Sequence, residues 1–179
     1  PDGKRKIGSK RFAGSVRDFS MSDRRIAAEW DQFGRDPYLL GVPGGVVDLK
    51  AGKVIESERE HYITRQTSVI PEAGPHPLFD DVIRRASGGE QDIADYLWRW
   101  LGYVITGSVK EKCFLYLYGK TDSGKTTLAN AIAGILGNAD AGGYAAQCDV
   151  DMFTESKMEK GTDRLAHLAG ARFAYASEM

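Results

Sequence analysis

The spacing of apolar residues predicts a helix and then a small antiparallel sheet in the first part of the chain. Ser22 can cap a helix that runs to Phe33, because apolar residues there recur every three or four positions. Residues 38–55 contain short apolar runs separated by two turns rich in Gly, Pro and Lys, a pattern typical of a β-meander. We expect residues 62–64 to add a further strand to it.

Helical spacing returns in two stretches after a connector rich in Pro and Gly. Residues 77–86 and 91–106 are both predicted to be helices. The second carries one continuous apolar stripe, made of Ile93, Leu97, Trp100, Leu101 and Val104. Tyr96 and Trp98 flank that stripe, where aromatic rings can pack against neighbours or stack on bases. Packing is the commoner role of such side chains and is our prediction for both.

Strand and helix patterns alternate in the last third of the chain. The apolar, aromatic stretch 113–118 predicts a buried strand, and residues 127–136 predict a helix that Gly137 ends. A short helix over residues 163–169 and a strand over residues 171–176 follow. This order predicts an α/β class, with an N-terminal α+β accessory domain before an α/β core.

Composition and charge add bounds to this picture. The chain has 179 residues, of which 42% are hydrophobic and 27% charged, so it is long enough to bury a core. A net charge of −1 gives no global attraction to nucleic acid. Residues 1–25, however, hold eight Lys and Arg against three Asp. We interpret residues 1–19 as a basic arm that contacts a phosphate backbone or as a solvated linker.

Cysteine and histidine usage gives no sign of a metal centre. Cys113 and Cys148 lie in no Cys-x-x-Cys pair, and the three histidines are scattered along the chain. Two free thiols indicate a reducing, cytoplasmic setting. The longest apolar run, residues 113–118, is too short to cross a bilayer, so we expect no membrane partner.

The most specific motif is the run of residues 119–126, which reads G-x-x-x-x-G-K-T, the phosphate-binding loop of nucleoside triphosphatases. Its glycines allow backbone conformations that side chains forbid, so that N–H groups can close on phosphate oxygens. Lys125 carries a positive charge toward the outer phosphates, and Thr126 offers a hydroxyl to a magnesium ion. We predict that ATP and Mg²⁺ bind at Gly119, Lys120, Thr121, Asp122, Ser123, Gly124, Lys125, Thr126 and Thr127.

A P-loop ATPase also needs an acidic residue at the end of a neighbouring strand. Glu178 follows the predicted strand 171–176 and fits that position. We therefore predict Lys125 and Glu178 as catalytic residues, and Thr126 and Glu178 as the metal ligands. Ser177 stands where many such ATPases carry a second acid. Either Glu178 serves both metal and water, or Ser177 helps to hold the metal.

Several short signatures accompany the phosphate-binding loop. They are Asp36-Pro37-Tyr38-Leu39-Leu40, Gly44-Gly45-Val46-Val47-Asp48-Leu49, Tyr62-Ile63-Thr64, Tyr96-Leu97, Leu101-Gly102-Tyr103-Val104-Ile105-Thr106-Gly107 and Arg164-Leu165-Ala166-His167-Leu168-Ala169-Gly170-Ala171-Arg172-Phe173, which leads into Ser177-Glu178. With them, residues 30–178 resemble the helicase part of the phage and plasmid primase-helicase family. That family belongs to helicase superfamily 3 within the AAA+ class.

The resemblance implies an accessory domain over residues 20–107, followed by the first part of an AAA+-type P-loop ATPase core over residues 108–179. It implies an ATP-dependent DNA helicase that works on single-stranded DNA as a homo-hexamer. A primase domain or other replication proteins are the further partners that it implies. The implied setting is the cytoplasm of a bacterial host or phage-infected cell.

Some landmarks of that family do not occur in these 179 residues. The sensor residue, the DNA-contacting hairpin and the arginine finger all follow the acidic strand in the family. We therefore expect the isolated chain to bind nucleotide weakly and to hydrolyse it poorly or not at all. Two other functions stay open: a P-loop kinase acting on a small molecule, and a nucleotide-binding assembly module in replication initiation without turnover of its own.

Overall fold

The secondary structure mixes helices with two small sheets, in keeping with an α/β class. The computed structural model describes residue 7, residues 9–153, residue 166 and residues 168–176. Its helices are α1 (Lys10–Ser22), α2 (Pro77–Ala86), α3 (Gln91–Val104) and α4 (Lys125–Leu136), and its strands are β1 (Leu39–Val42), β2 (Gly45–Asp48), β3 (Lys53–Ile55), β4 (Ala145–Gln147) and β5 (Phe173–Tyr175). The chain divides into two units, Pro1–Phe33 and Gly34–Met179.

The first unit contains α1, which begins earlier than the sequence predicts. Ser9 caps this helix by accepting a backbone N–H at 3.2 Å, a common way for a helix to begin. Ser22 ends the helix instead of starting one, and its hydroxyl donates to the carbonyl of Phe19 at 3.0 Å. The predicted helix from Ser22 to Phe33 is therefore wrong. A short 3-10 turn, Trp30–Gln32, is found there.

The helical part of the predicted basic arm has its own apolar spacing. Phe12, Val16 and Phe19 recur at positions i, i+4 and i+7 and are all exposed. Lys and Arg are good helix formers, so a high content of both does not by itself indicate an irregular linker. Residues 1–6 and residue 8 of the predicted arm lie outside the described residues.

The predicted meander is confirmed as a three-stranded antiparallel sheet in the order β1-β2-β3. Leu40 pairs with Val47, and Val46 pairs with Ile55. The turn between β1 and β2 contains Gly44 at a φ of 83°, a left-handed conformation that favours glycine. The predicted continuation over residues 62–64 is wrong, because these residues form no strand.

The two helices predicted after the meander are confirmed as α2 and α3. Together with α4 and the two sheets they enclose one hydrophobic core, whose buried members are Leu40, Val42, Ile83, Leu97, Val104, Leu128, Ile132, Leu136, Tyr144, Ala145 and Phe173. These residues come from both sides of the predicted domain boundary between residues 107 and 108. The boundary itself stays a prediction, but residues on the two sides of it bury the same apolar surface.

The second sheet consists of two parallel strands, β4 and β5. Ala145 pairs with Phe173, and Gln147 pairs with Tyr175. β5 confirms the strand predicted over residues 171–176. β4 was not predicted, because its Ala-rich sequence lacks the β-branched residues that usually mark strands. The helix predicted over residues 163–169 lies mostly outside the described residues.

The stretch 113–118 is not the buried strand that its sequence predicts. It runs as unassigned backbone without a pairing partner in the described chain. Leu115 and Leu117 pack against the core, whereas Phe114, Tyr116 and Tyr118 are exposed. The side chains of this stretch therefore alternate between the core and the surface, as in a strand. No neighbouring strand among the described residues pairs with the stretch or covers its exposed aromatic side chains.

The two sheets are connected through the side chain of Tyr144. Its hydroxyl donates to the carbonyl of Arg65 at 2.8 Å and accepts the N–H of Gly41, in β1, at 3.0 Å. A Cβ on Gly41 would stand 2.0 Å from the Arg65 carbonyl oxygen, so only glycine fits this approach. Tyr144 is itself buried and lies immediately before β4.

Two guanidinium groups complete this connection by binding backbone carbonyls. Arg65 donates to the carbonyls of Ala139 at 2.9 Å, Gly143 at 2.7 Å and Ala169 at 2.7 Å. Arg65 thereby links the segment after the meander to the segments that precede β4 and β5. An Arg side chain has five donors in a fixed planar arrangement, which suits several acceptors at once.

Arg172, immediately before β5, also binds several backbone carbonyls through its guanidinium group. Its guanidinium donates to the carbonyls of Pro37, Leu39 and Ile105, and it lies 4.9 Å from the centre of the Tyr144 ring. Burial is the main cause that lowers the pKa of Arg172 from its usual value. We call Arg65, Tyr144 and Arg172 the carbonyl clamp.

Removing one hydroxyl from the carbonyl clamp tests how much the core depends on it. We expect Tyr144→Phe to lower the free energy of unfolding by about 1–3 kcal/mol, because the Gly41 N–H and the Arg65 carbonyl lose a partner away from water. Denaturant unfolding of both proteins measures the difference. Tyr118→Phe is the matched control, since Tyr118 is 84% exposed. Equal losses in the two variants would contradict a role for the clamp.

Candidate phosphate-binding site

The predicted phosphate-binding residues lie together where a loop enters α4. Residues 119–124 form the loop, and Lys125, Thr126 and Thr127 form the first turn of the helix. The prediction of a helix after this loop is confirmed. Leu128 and Ile132 are buried, and Gly137 ends the helix at a φ of 77°.

Buried residues of α4 fix the place of this loop. Leu128, Ile132 and Leu136 lie on the face of α4 that enters the core, which also includes Phe173 of β5. The opposite end of the loop follows Leu115 and Leu117, which pack against the same core. Both ends of the loop are therefore held, while residues 119–122 themselves are exposed.

Glycine conformation shapes the loop at both ends. Gly119 has a φ of 152° and Gly124 has a φ of 87°, values that side chains disfavour. A Cβ added to Gly124 would meet nothing within 4 Å. The requirement for glycine at this position is thus conformational and not one of space.

Lys125 folds back over the loop. Its Nζ donates to the carbonyls of Gly119 at 3.0 Å and Lys120 at 2.8 Å, and to the hydroxyl of Ser123 at 3.0 Å. A lysine ammonium has three donors, so these contacts occupy all of them. The sequence predicts that the Lys125 ammonium points toward bound phosphate. In the structure this ammonium is hydrogen-bonded to the loop itself.

The backbone of the site is rich in unused donors. The N–H groups of residues 120–127 have no hydrogen-bond acceptor in the described chain. The first N–H groups of any helix lack an intrahelical partner, and the helix dipole adds a partial positive charge at the same end. A chain of phosphate oxygens is an acceptor of the kind that these groups can bind. The residues present therefore fit a nucleotide's phosphates.

One non-glycine residue of the loop also has left-handed backbone. Asp122 has a φ of 62°, and it is exposed. Aspartate and asparagine are the non-glycine residues that tolerate this region best. Sequence reasoning placed Asp122 in the site but did not separate this conformational role from its charge.

The predicted acidic partner of the loop cannot be placed. Glu178 and Ser177 lie outside the described residues, which end at residue 176. β5 ends at Tyr175, parallel to β4, so its carboxyl end lies at the same sheet edge as Gln147. The roles of Glu178 as catalytic residue and metal ligand stay predictions. Among the described residues, no group of three or more His, Cys, Asp or Glu could hold a metal ion.

Two cavities of the described structure lie away from the loop. One of about 310 Å³ is lined by Ala133, Asn138, Asp140, Ala145, Gln147 and Tyr175, and the other of about 210 Å³ lies between α2 and α3. Neither is lined by a residue of the loop or of the first turn of α4. The phosphate-binding candidate is therefore an exposed loop and not one of these cavities.

The two cysteines differ in environment. Cys148 is buried after β4, and desolvation is the main cause that raises the pKa of its thiol. A raised pKa favours the neutral thiol, which is a poorer nucleophile than the thiolate. Cys113 is exposed, which corrects its prediction as part of a buried strand.

Comparison with known families adds information about the first half of the chain. Residues 2–88 match a family model described as D5 N terminal like, the N-terminal domain of D5-like primase-helicases. The match points to the phage and plasmid primase-helicase family. It covers 87 of 179 residues, from α1 through α2, and it ends before the loop at residues 119–124. It therefore includes the segment predicted as an arm.

Two further findings complete the comparison. No curated protein matches this chain. In the part of the chain that the structure describes, no helix has the length and apolar character needed to span a membrane.

Two glycines of the same region give a matched test of the loop geometry. We expect Gly124→Ala to destabilise the protein by about 1–2 kcal/mol, because alanine resists the left-handed backbone that Gly124 adopts. Gly134, inside α4, has open space around it and ordinary helical backbone. Gly134→Ala should therefore stabilise the protein by about 0.5–1 kcal/mol.

Thermal unfolding followed by circular dichroism measures both changes. Opposite signs for the two substitutions are the expected result. A Gly124→Ala variant as stable as the Gly134→Ala variant would contradict the left-handed conformation at the start of α4.

Proposed function

We propose that this chain is the nucleotide-binding part of a phage or plasmid replication helicase, and that it binds Mg-ATP at residues 119–127. The observation that carries the proposal is the set of backbone N–H groups at residues 120–127 that have no acceptor in the described chain, beside the ammonium group of Lys125. The family match over residues 2–88 supports the replication context.

Binding requires a rearrangement of the lysine. Lys125 Nζ exchanges its contacts with Gly119, Lys120 and Ser123 for oxygens of the β- and γ-phosphates. These three contacts hold the lysine beside the loop that is proposed to bind the phosphates. The exchange leaves the number of charge-assisted hydrogen bonds roughly constant, so the attraction between opposite charges supplies the gain.

Each residue of the site has a separate role in the proposed hydrolysis. The N–H groups of the loop and Lys125 stabilise negative charge on the phosphates, in positions fixed before the reaction. Thr126 and Glu178 would hold magnesium, which neutralises charge on the phosphate oxygens. Glu178 orients the attacking water for in-line displacement. The roles of Glu178 rest on the sequence alone.

Two alternatives predict different behaviour. A P-loop kinase would need an acceptor site beside the loop, and neither cavity described above is lined by the loop. An assembly module would bind nucleotide at the same residues without turnover. The family match favours a replication protein and so favours the helicase or the assembly module over the kinase.

Replacement of the loop lysine tests nucleotide binding directly. We expect Lys125→Ala to raise the dissociation constant for Mg-ATP at least tenfold, about 1.4 kcal/mol, as measured by calorimetry on this chain. Lys110→Ala is the matched control, because it removes the charge of an exposed lysine outside the loop. A dissociation constant that Lys125→Ala leaves unchanged would refute the proposed site.

Turnover separates the motor from its alternatives in the complete replication protein. We expect its ATPase rate to rise several-fold when single-stranded DNA is added, and the rise to disappear with Lys125→Ala. Phosphate release is the measurement. A rate that responds to a small-molecule acceptor and not to DNA would indicate the kinase. Mg-ATP binding without turnover, with or without DNA, would indicate the assembly module.

A further inference from the structure

Asp122 places an uncompensated negative charge inside the loop. Its carboxylate forms no hydrogen bond or ion pair with any described residue, although Lys120 and Lys125 lie in the same short segment. The Nζ of Lys125 is bound to Ser123 and two carbonyls instead. Two lysines and one aspartate leave residues 119–126 with a formal charge of only +1.

The backbone conformation explains why a residue of this type stands there without requiring its charge. At a φ of 62°, asparagine and glycine would serve as well as aspartate. Any effect of the carboxylate's charge is therefore separable from the shape of the loop. Asp122 is three residues from Lys125, so their Cα atoms are at most about 11 Å apart, a distance over which charges still interact at moderate salt.

We propose that Asp122 makes this loop selective for the magnesium complex of a nucleoside triphosphate over the metal-free triphosphate. Repulsion between charges grows with their product, and bound magnesium cancels about half of the charge on the phosphate chain. The carboxylate consequently repels the metal-free form more strongly. This inference rests on the proposed function, because it concerns the same loop.

Asparagine is the sharpest substitution for the test, since it keeps the left-handed conformation and removes only the charge. We expect Asp122→Asn to tighten binding of ATP in the presence of EDTA about three- to tenfold, and binding of Mg-ATP less than about twofold. Calorimetry on this chain measures both constants. Glu56→Gln removes one negative charge from an exposed position after β3 and should change neither constant.

Salt and a second substitution separate charge from conformation. The gain with Asp122→Asn should shrink as salt is raised from about 0.05 M to about 0.5 M, because ions screen exposed charges. Asp122→Ala removes the same charge but resists left-handed backbone. It should therefore bind both forms of ATP several-fold more weakly than Asp122→Asn.

Two results would overturn the inference. One is an Asp122→Asn variant that binds metal-free ATP no more tightly than the original chain. The other is equal tightening for the two forms of ATP. Lys125→Ala, measured in the same series, distinguishes this failure from failure of the proposed function. If Lys125→Ala weakens binding while Asp122→Asn changes nothing, the site stands and only the role of Asp122 is lost.

Discussion

The described core depends on a small number of partly buried backbone carbonyls that accept hydrogen bonds from side chains. The carbonyl clamp donates these hydrogen bonds through two guanidinium groups and one hydroxyl. Each clamp residue joins segments far apart in the sequence, such as Arg172 with Leu39. A carbonyl that is shielded from water and lacks a donor costs free energy, so loss of the clamp would remove a side-chain donor from several carbonyls at once. The meander, α2, α3, α4 and the parallel strands consequently share one core within the unit Gly34–Met179.

This arrangement bears on the phosphate-binding candidate because α4 contributes Leu128, Ile132 and Leu136 to the same core. The helix is thereby fixed at its apolar face, while its amino end and the preceding loop are exposed. Lys125 stays near the loop through its contacts with Ser123 and two carbonyls. A fixed helix with an adaptable lysine is a suitable arrangement for a site that must bind and release a highly charged ligand.

The match to the D5-like N-terminal domain and the loop lie in different parts of the chain, yet the structure joins them physically. Core residues Leu40, Val42 and Ile83 belong to the matched half and pack with residues of α4 and β5. The part of the matched region within the second unit, residues 34–88, therefore supports the candidate site by packing. Variants in either half can alter nucleotide binding through stability alone, which is why each measurement above has a matched control.

Local pattern determined much of this protein. The meander, α2, α3, α4 and β5 are all predicted from apolar spacing and turn residues. In each of them the apolar residues recur with the period of the helix or strand that forms. The loop at residues 119–126 was also predicted, since its glycines, lysine and threonine form a local motif. Three features were decided only by tertiary structure. β4 forms from an Ala-rich stretch because β5 pairs with it. The stretch 113–118 has strand-like residues but no strand beside it among the described residues. A strand needs a second segment to pair with, so its own sequence cannot decide whether it forms one. The carbonyl clamp follows no local pattern, because its donors and acceptors meet only when distant segments pack together.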